Sequence, residues 1–332
     1  MRTSVIYLQS GFWKQLQADT SISGLQCLMN VFEAILNADL HTDIEDEVWD
    51  TDPFLSFLWK KYLENQYEIE LFDNISIDKP EENIENLSAI YLMDCDTQTC
   101  NNLGSDYGII AINNSGLSEK EYLFKGNAFL LEKNSKRYVD GYLHFKSKIY
   151  YPCNSMILVD PYLLTNKQNI KNNLITLLNA MLPLRKQHII FHISIFSMLG
   201  NRNNDALNVK EYHSEISEMI QTIRDKLEFS LTLYAIGSAE EFHSRMILTN
   251  NVFFSAYDGF DIFKDNGQAS KNASFDIVVP RLMGNNRQDM NNYLRWIKIT
   301  RDRSHNQYEK HFWGTRENRL FELVKDSKNG SK

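Results

Sequence analysis

The second half of the chain alternates short apolar runs with amphipathic stretches, and that rhythm limits its fold more than any other feature. SMILVDPYLL (155–164), HIIFHISIF (188–196) and SLTLYAIG (230–237) are apolar runs of strand length. Between them, NIKNNLITLLNAML (169–182) sets Ile170, Leu174, Leu177, Leu178 and Met181 on one stripe. VKEYHSEISEMIQTIRDKL (209–227) does the same with Val209, Tyr212, Ile216, Met219, Ile220, Ile223 and Leu227. Strand–helix–strand–helix–strand predicts an α/β domain with a mixed, mostly parallel sheet under covering helices. MILT (246–249), Asn250-Asn251 and VFFSAY (252–257) predict a hairpin, with the asparagines suited to the positive-φ positions of a tight turn. SFDIVVPRL (274–282) adds a last strand, and a helix around 286–300 leads into a polar tail.

The first half mixes types. Residues 4–8 read as a strand, and ISGLQCLMNVFEAILN (22–37) as a helix whose Leu25, Leu28, Met29, Phe32 and Ile35 fall near helical spacing. Pro53 opens a further helix. YEIELF (67–72), SAIYLMD (88–94), YGIIAIN (107–113) and AFLLEKN (128–134) read as strands. No repeat, nucleotide loop or catalytic motif appears. The expected division is an N-terminal α+β domain over 1–152, an α/β domain over 153–285 and a basic helical tail over 286–332, with the first boundary near Tyr150-Tyr151-Pro152.

The 332 residues, 43% apolar, allow each half its own core. A net charge of −8 argues against long double-stranded nucleic acid wrapping the whole surface. The charge is uneven. Between residues 41 and 87 fourteen acidic side chains face three lysines, whereas Arg281 to Lys332 holds twelve Lys or Arg against six Asp or Glu. Solvated faces account for both stretches; the sharper reading has the acidic half meeting a basic partner protein or the chain's own tail. Cys27, Cys95, Cys100 and Cys153 lack metal-ligand spacing, and no cofactor motif is recognisable, so neither metal nor cofactor is expected. The scattered thiols, the lack of an h-region near the start and the lack of about 18 consecutive apolar residues predict a cytoplasmic chain with no transmembrane segment.

Chemistry concentrates in EFHSRMILTNNVFFSAYDGFDIF (241–263). His243 and Arg245 share parity on the entering strand and so project to one face. An imidazole beside a guanidinium fork suits a phosphate, the histidine as nucleophile or base and the arginine on two oxygens. Ordinary surface decoration is the competing reading. Asp160 ends the first strand of the second half, where α/β sheets hold ligands, and Asp-Pro also forms turns. His188 and His192 face one side of a strand, as core histidines or as site residues. Asp258 and Asp261 flank Gly259, either to orient Arg245 or to shape a turn.

The strand–helix order followed by His-x-cation, a strand and a polar residue resembles the phospholipase D superfamily, whose signature is H-x-K-x4-D. His243 stands at the histidine, Arg245 at the lysine and Asn250 at the aspartate. The stretch is more similar to a divergent branch: the phospholipase D-like domain at the C-terminus of MIT-domain proteins and its bacterial relatives in mobile or defence loci. Phe242, His243, Arg245, Gly259, Asp261, Phe263 and the Asp-Pro-Tyr at 160–162 carry that likeness, over about 156–282. The resemblance implies a phospholipase D-like fold and a phosphate- or nucleic-acid-recognising module, non-catalytic or weakly catalytic, in an anti-phage setting. Its catalytic set would be His243, Arg245 and Asn250, supported by Asp160, His192 and Asp261. Arg295, Lys298 and Arg301 of the tail would join Arg245 on phosphates. The alternative is a homodimeric phosphodiesterase or nuclease in which two copies pair their His243 nucleophiles. A third reading leaves Arg245 in an internal salt bridge.

Overall fold

Strand β1 (Ser4–Leu8) lies at the centre of a five-stranded sheet with β2 (Ala38–Thr42), β3 (Ile69–Leu71), β4 (Ile90–Leu92) and β5 (Ile110–Ile112), in the order β3-β2-β1-β4-β5. Every pairing in it is parallel. The connections carry helices α1 (Ser10–Ala18), α2 (Ile22–Ile35), α3 (Asp46–Thr51), α4 (Pro53–Asn65) and α5 (Thr97–Tyr107). Parallel neighbours need long crossovers, and these helices supply them. The first half is therefore a parallel α/β unit and not the expected α+β domain. Sequence reading missed β2, whose ADLHT carries Asp39 and His41 between buried Ala38, Leu40 and Thr42. It also missed the polar helices α1 and α5.

The computed structural model describes residues 4–36, 38–65, 68–73, 82, 86–117, 129–131, 152–200, 209–237, 245–256, 259–261, 275–278, 284–304 and 311–322. They fall into two compact units: 1–127 with 279–289 and 325–332, and 128–278 with 290–324. The first boundary thus precedes the expected one. AFLLEKN contributes β6 (Phe129–Leu131) to the sheet of the second unit.

That second sheet has eight strands in the order β13-β9-β8-β7-β10-β11-β12-β6. β7 (Ser155–Val159), β8 (Phe191–Ser197) and β9 (Phe229–Ala235) form a parallel centre. β10 (Arg245–Thr249), β11 (Phe253–Ala256), β12 (Phe275–Val278) and β6 run antiparallel on one flank, and β13 (Phe312–Trp313) on the other. The sheet is mixed, but its parallel part is confined to three strands. β7 is buried at all five positions, as a strand covered on both faces must be. The crossover from β7 to β8 runs through α6 (Lys167–Asn169), a π-helical stretch (Ile170–Ile175) and α7 (Thr176–Met181); α8 (Val209–Ile223) links β8 to β9.

Of the expected separate tail, residues 290–324 are part of this unit, and 286–289 with 325–332 belong to the first. Leu294 and Ile297 of α9 (Gly284–Arg303), Phe312 of β13, and Leu320 and Phe321 of α10 (Arg319–Glu322) pack with Val159, Phe196, Tyr234 and Leu248 in one core cluster. Polar composition hid three buried faces. No helix among the described residues is long and apolar enough to cross a membrane.

Candidate functional site

Asp160 follows β7 at the carboxyl end of the parallel strands, and its backbone N–H donates to Phe196 O (3.1 Å). Antiparallel pairing of Met246 with Val159 then brings Arg245, the first residue of β10, alongside it. Carboxyl ends of parallel strands are where open α/β sheets hold ligands. Asp160 is fully buried. Its Oδ1 accepts from Tyr162 N (2.8 Å) and its Oδ2 from Phe260 N (2.7 Å). The Asp-Pro-Tyr turn and the Gly259-Phe260 segment are thus tied to one carboxylate.

Gly259 closes the cluster at φ +90°, in a region that L side chains rarely enter. A Cβ there would lie 3.0 Å from Arg245 Cδ, 3.0 Å from Asp160 Oδ2 and 3.1 Å from Asp261 Oδ1. The Arg245 guanidinium lies over the Tyr162 ring, 5.4 Å from its centroid. Burial pushes the Asp160 carboxyl up to about 6; the two backbone N–H groups oppose this, Asp261 adds to it, and Arg245 again opposes it. At neutral pH the site therefore holds one deeply buried anion beneath a half-buried arginine.

Of the residues expected from sequence, Asp160, Arg245 and Asp261 come together here. Tyr162 and Gly259 complete the set; the Asp-Pro-Tyr and Gly-x-Asp patterns contained them without revealing their contacts. His243 lies outside the described residues, as does Asp258.

Asn250 does not belong to this cluster. It follows β10 at the opposite end, about 16 Å along the strand from Arg245. It is fully buried, and its Oδ1 accepts from Asn154 N (3.0 Å). Asn251 Nδ2 donates to Pro152 O (2.5 Å), and Thr249 Oγ1 accepts from Val252 N (2.8 Å). Neither asparagine has positive φ; among the described non-glycine residues only Arg316 does. The Asn-Asn pair is there to satisfy buried backbone, not to supply a left-handed turn.

His192 also lies at that far end, in register with Ser155 at the start of β7. Its Nδ1 accepts from Arg319 N (3.3 Å). Burial, then the Arg319 charge, lowers its pKa to about 4, so the ring is neutral. Arg319 Nη1 donates to Ile190 O (2.8 Å), Asn154 O (3.1 Å) and Ser155 Oγ (3.4 Å). Asn318 Nδ2 reaches Met156 O (2.9 Å) and Ser194 Oγ (3.1 Å). His192 is thus part of a structural staple holding α10 to the sheet.

The three tail cations lie on α9. Arg301 stacks over Phe321 at 4.5 Å and pairs with Asp302 at 2.8 Å. Arg295 Nη1 donates to Asn292 Oδ1 (3.4 Å). Lys298 is half-buried on the same helix. An open groove of about 910 Å³ lies elsewhere in the unit, lined by His213, Ser217, Trp313 and Glu317 among others, and holds none of the expected residues.

The first unit has its own polar cluster where β1 and β4 adjoin. Asp94 N donates to Gln9 Oε1 (2.6 Å), Gln15 Nε2 donates to Asp94 Oδ1 (2.5 Å), and a Cβ on Gly11 would collide with the Asp94 carboxylate. These groups are engaged with one another across the start of α1. No protein-family model matches the chain, and no curated protein does either.

Proposed function

We propose that the second unit is a phospholipase D-like module that recognises a phosphodiester, in a nucleic acid or a smaller ligand, through Arg245 and without efficient catalysis. The observation that carries the reading is the clustering of Arg245, Asp160, Gly259 and Tyr162 at the carboxyl end of β7. Both Asp160 oxygens are engaged with backbone N–H groups, so this anion holds the arginine's setting instead of facing the ligand. Tyr162 supports the guanidinium plane, which suits two-point contact with phosphate oxygens. Asn250 lacks the aspartate's carboxylate, and its Oδ1 is engaged with the Asn154 backbone N–H; this weighs against chemistry of the full H-x-K-x4-D type. Binding should strengthen as pH falls towards 6, because protonating Asp160 removes a negative charge beside the incoming anion.

The test pairs fluorescence anisotropy on a labelled single-stranded oligonucleotide with hydrolysis of bis-p-nitrophenyl phosphate. Arg245→Ala is expected to weaken oligonucleotide binding roughly tenfold or more. Wild type and His243→Ala should be equally inert in hydrolysis. Hydrolysis that His243→Ala abolishes would replace this reading with the homodimeric phosphodiesterase. Binding indifferent to Arg245→Ala would leave the arginine a purely internal role.

A further inference from the structure

Helix α2 carries two apolar stripes, and the fold of its unit uses only one. Leu28, Val31 and Ile35 are buried with Gly24 on the core side. The second stripe is Ile22, Leu25, Met29 and Phe32, spaced three, four and three residues apart, the a/d spacing of a helix–helix seam. Phe32 is covered: its ring meets Phe54 at 5.5 Å and Phe57 at 5.9 Å, both on α4. The rest of the seam is open. Ile22 is 90% exposed, Leu25 50%, Met29 53% and the adjoining Phe57 46%. A helix apolar on two sides belongs in a buried setting, and a contiguous exposed stripe of this kind marks an interaction surface.

Acidic side chains dominate the chain around the seam; Lys61, which lies over the adjoining Phe57 ring at 5.6 Å, is paired with Glu64. From Gln15 to Trp59 there is no Lys or Arg, while Asp19, Glu33, Asp39, Asp43, Glu45, Asp46, Glu47, Asp50 and Asp52 all fall in that stretch. Asp19 and Glu33, both exposed, bracket the open seam along α2. We propose that this face of α2 docks a basic amphipathic helix of a partner protein, whose apolar stripe continues the packing that α4 makes on Phe32 and whose cations meet the acidic surroundings. The spacing selects a helix, since α4 already seats on the same seam. The charge selects its sign. A second copy of this face would set acid against acid, and an anionic lipid surface would be repelled for the same reason. About two turns of seam are open, which fits a small, transient interface. The inference is independent of the phosphate reading, which concerns the other unit.

Three 18-residue synthetic peptides test it on the full chain by isothermal titration calorimetry. One has Leu at a and d with Lys elsewhere, one keeps the Leu stripe with Glu in place of Lys, and one keeps Lys with Ser at a and d. Only the Lys/Leu peptide should bind. Leu25→Ser with Met29→Ser should weaken it roughly tenfold or more, with thermal unfolding unchanged because both side chains are already exposed. Equal binding of the Glu/Leu or Lys/Ser peptide would overturn the proposal, as would affinity indifferent to the double substitution. A dimer in sedimentation that the double substitution dissolves would overturn it in favour of self-association.

Discussion

Both ends of the second unit's sheet bury a charge, but they use it differently. At the amino end of β7 and β8, Arg319 is almost fully buried, and its guanidinium donates to two carbonyls and a hydroxyl on the strands and their approaches. Its neighbours His192, Asn318 and Asn154 are hydrogen-bonded within the protein. At the carboxyl end, Asp160 ties down two turns while the half-buried Arg245 lies over Tyr162 beside a left-handed glycine. The first arrangement fixes where a helix docks. The second uses its buried anion to tie down two turns beside Arg245, at the strand end where open α/β sheets generally hold ligands.

Removing the staple should have the largest effect on stability. Arg319→Ala leaves Ile190 O and Asn154 O without their donor and empties a packed volume, so urea unfolding of the second unit should lose roughly 3 kcal/mol, with oligonucleotide affinity unchanged. A loss in affinity without a loss in stability would reverse the roles assigned to the two ends.

Gly259→Ala should cost about 2 kcal/mol, because alanine resists φ +90° and its Cβ would crowd Arg245 and Asp160. Here both readouts should move together, since the displaced group is the candidate ligand-binding arginine.

The two ends should also respond oppositely to pH. Asp160 is raised in the fold from 3.8 to about 6, so between those values the folded chain holds the extra proton. Its contribution therefore falls as pH rises, and Asp160→Asn should flatten that decline. His192 is lowered from 6.5 to about 4, so there the unfolded chain holds the extra proton. Its contribution is intact above 6.5 and lost as pH falls towards 4, and His192→Gln should flatten that loss. For the fully buried Asp160 the change is on the order of 3 kcal/mol across its window, and for the partly exposed His192 somewhat less. Unfolding free energies from pH 4 to 7 on the two variants would show slopes of opposite sign if the burial argument holds.

The smallest effect belongs to α9. Arg301→Ala breaks a partly exposed pair with Asp302 and a stacking contact on Phe321, and should cost under about 1 kcal/mol. It should leave oligonucleotide binding within twofold, whereas a loss matching that of Arg245→Ala would extend the site to the helix.

What could be read from sequence followed from hydrophobic period. β7, β8, β9 and α8 announce themselves because their apolar positions repeat at strand or helix spacing. β2 and α5 did not, since Asp39, His41 and the polar TQTCNNLGSDY conceal elements held by register and neighbours. On α2, spacing alone merged two stripes into one, and only packing shows that Leu25 and Met29 face outward. At the site, Asp160, Arg245 and Asp261 were each visible as residues of the right chemistry. That Asn250 is spent on the Asn154 backbone required the packing around β10, and that His192 serves Arg319 required α10 folding back on the sheet.

The most direct measurement is a titration of a short dinucleotide phosphodiester, followed by 31P NMR, against wild type, Arg245→Gln and Arg319→Gln. Its charge is constant across the working range, so pH effects report on the protein. Loss of the shift with Arg245→Gln, and its retention in the folded fraction of Arg319→Gln, would support a ligand site at the carboxyl end of β7. An identical titration in wild type and Arg245→Gln would contradict it.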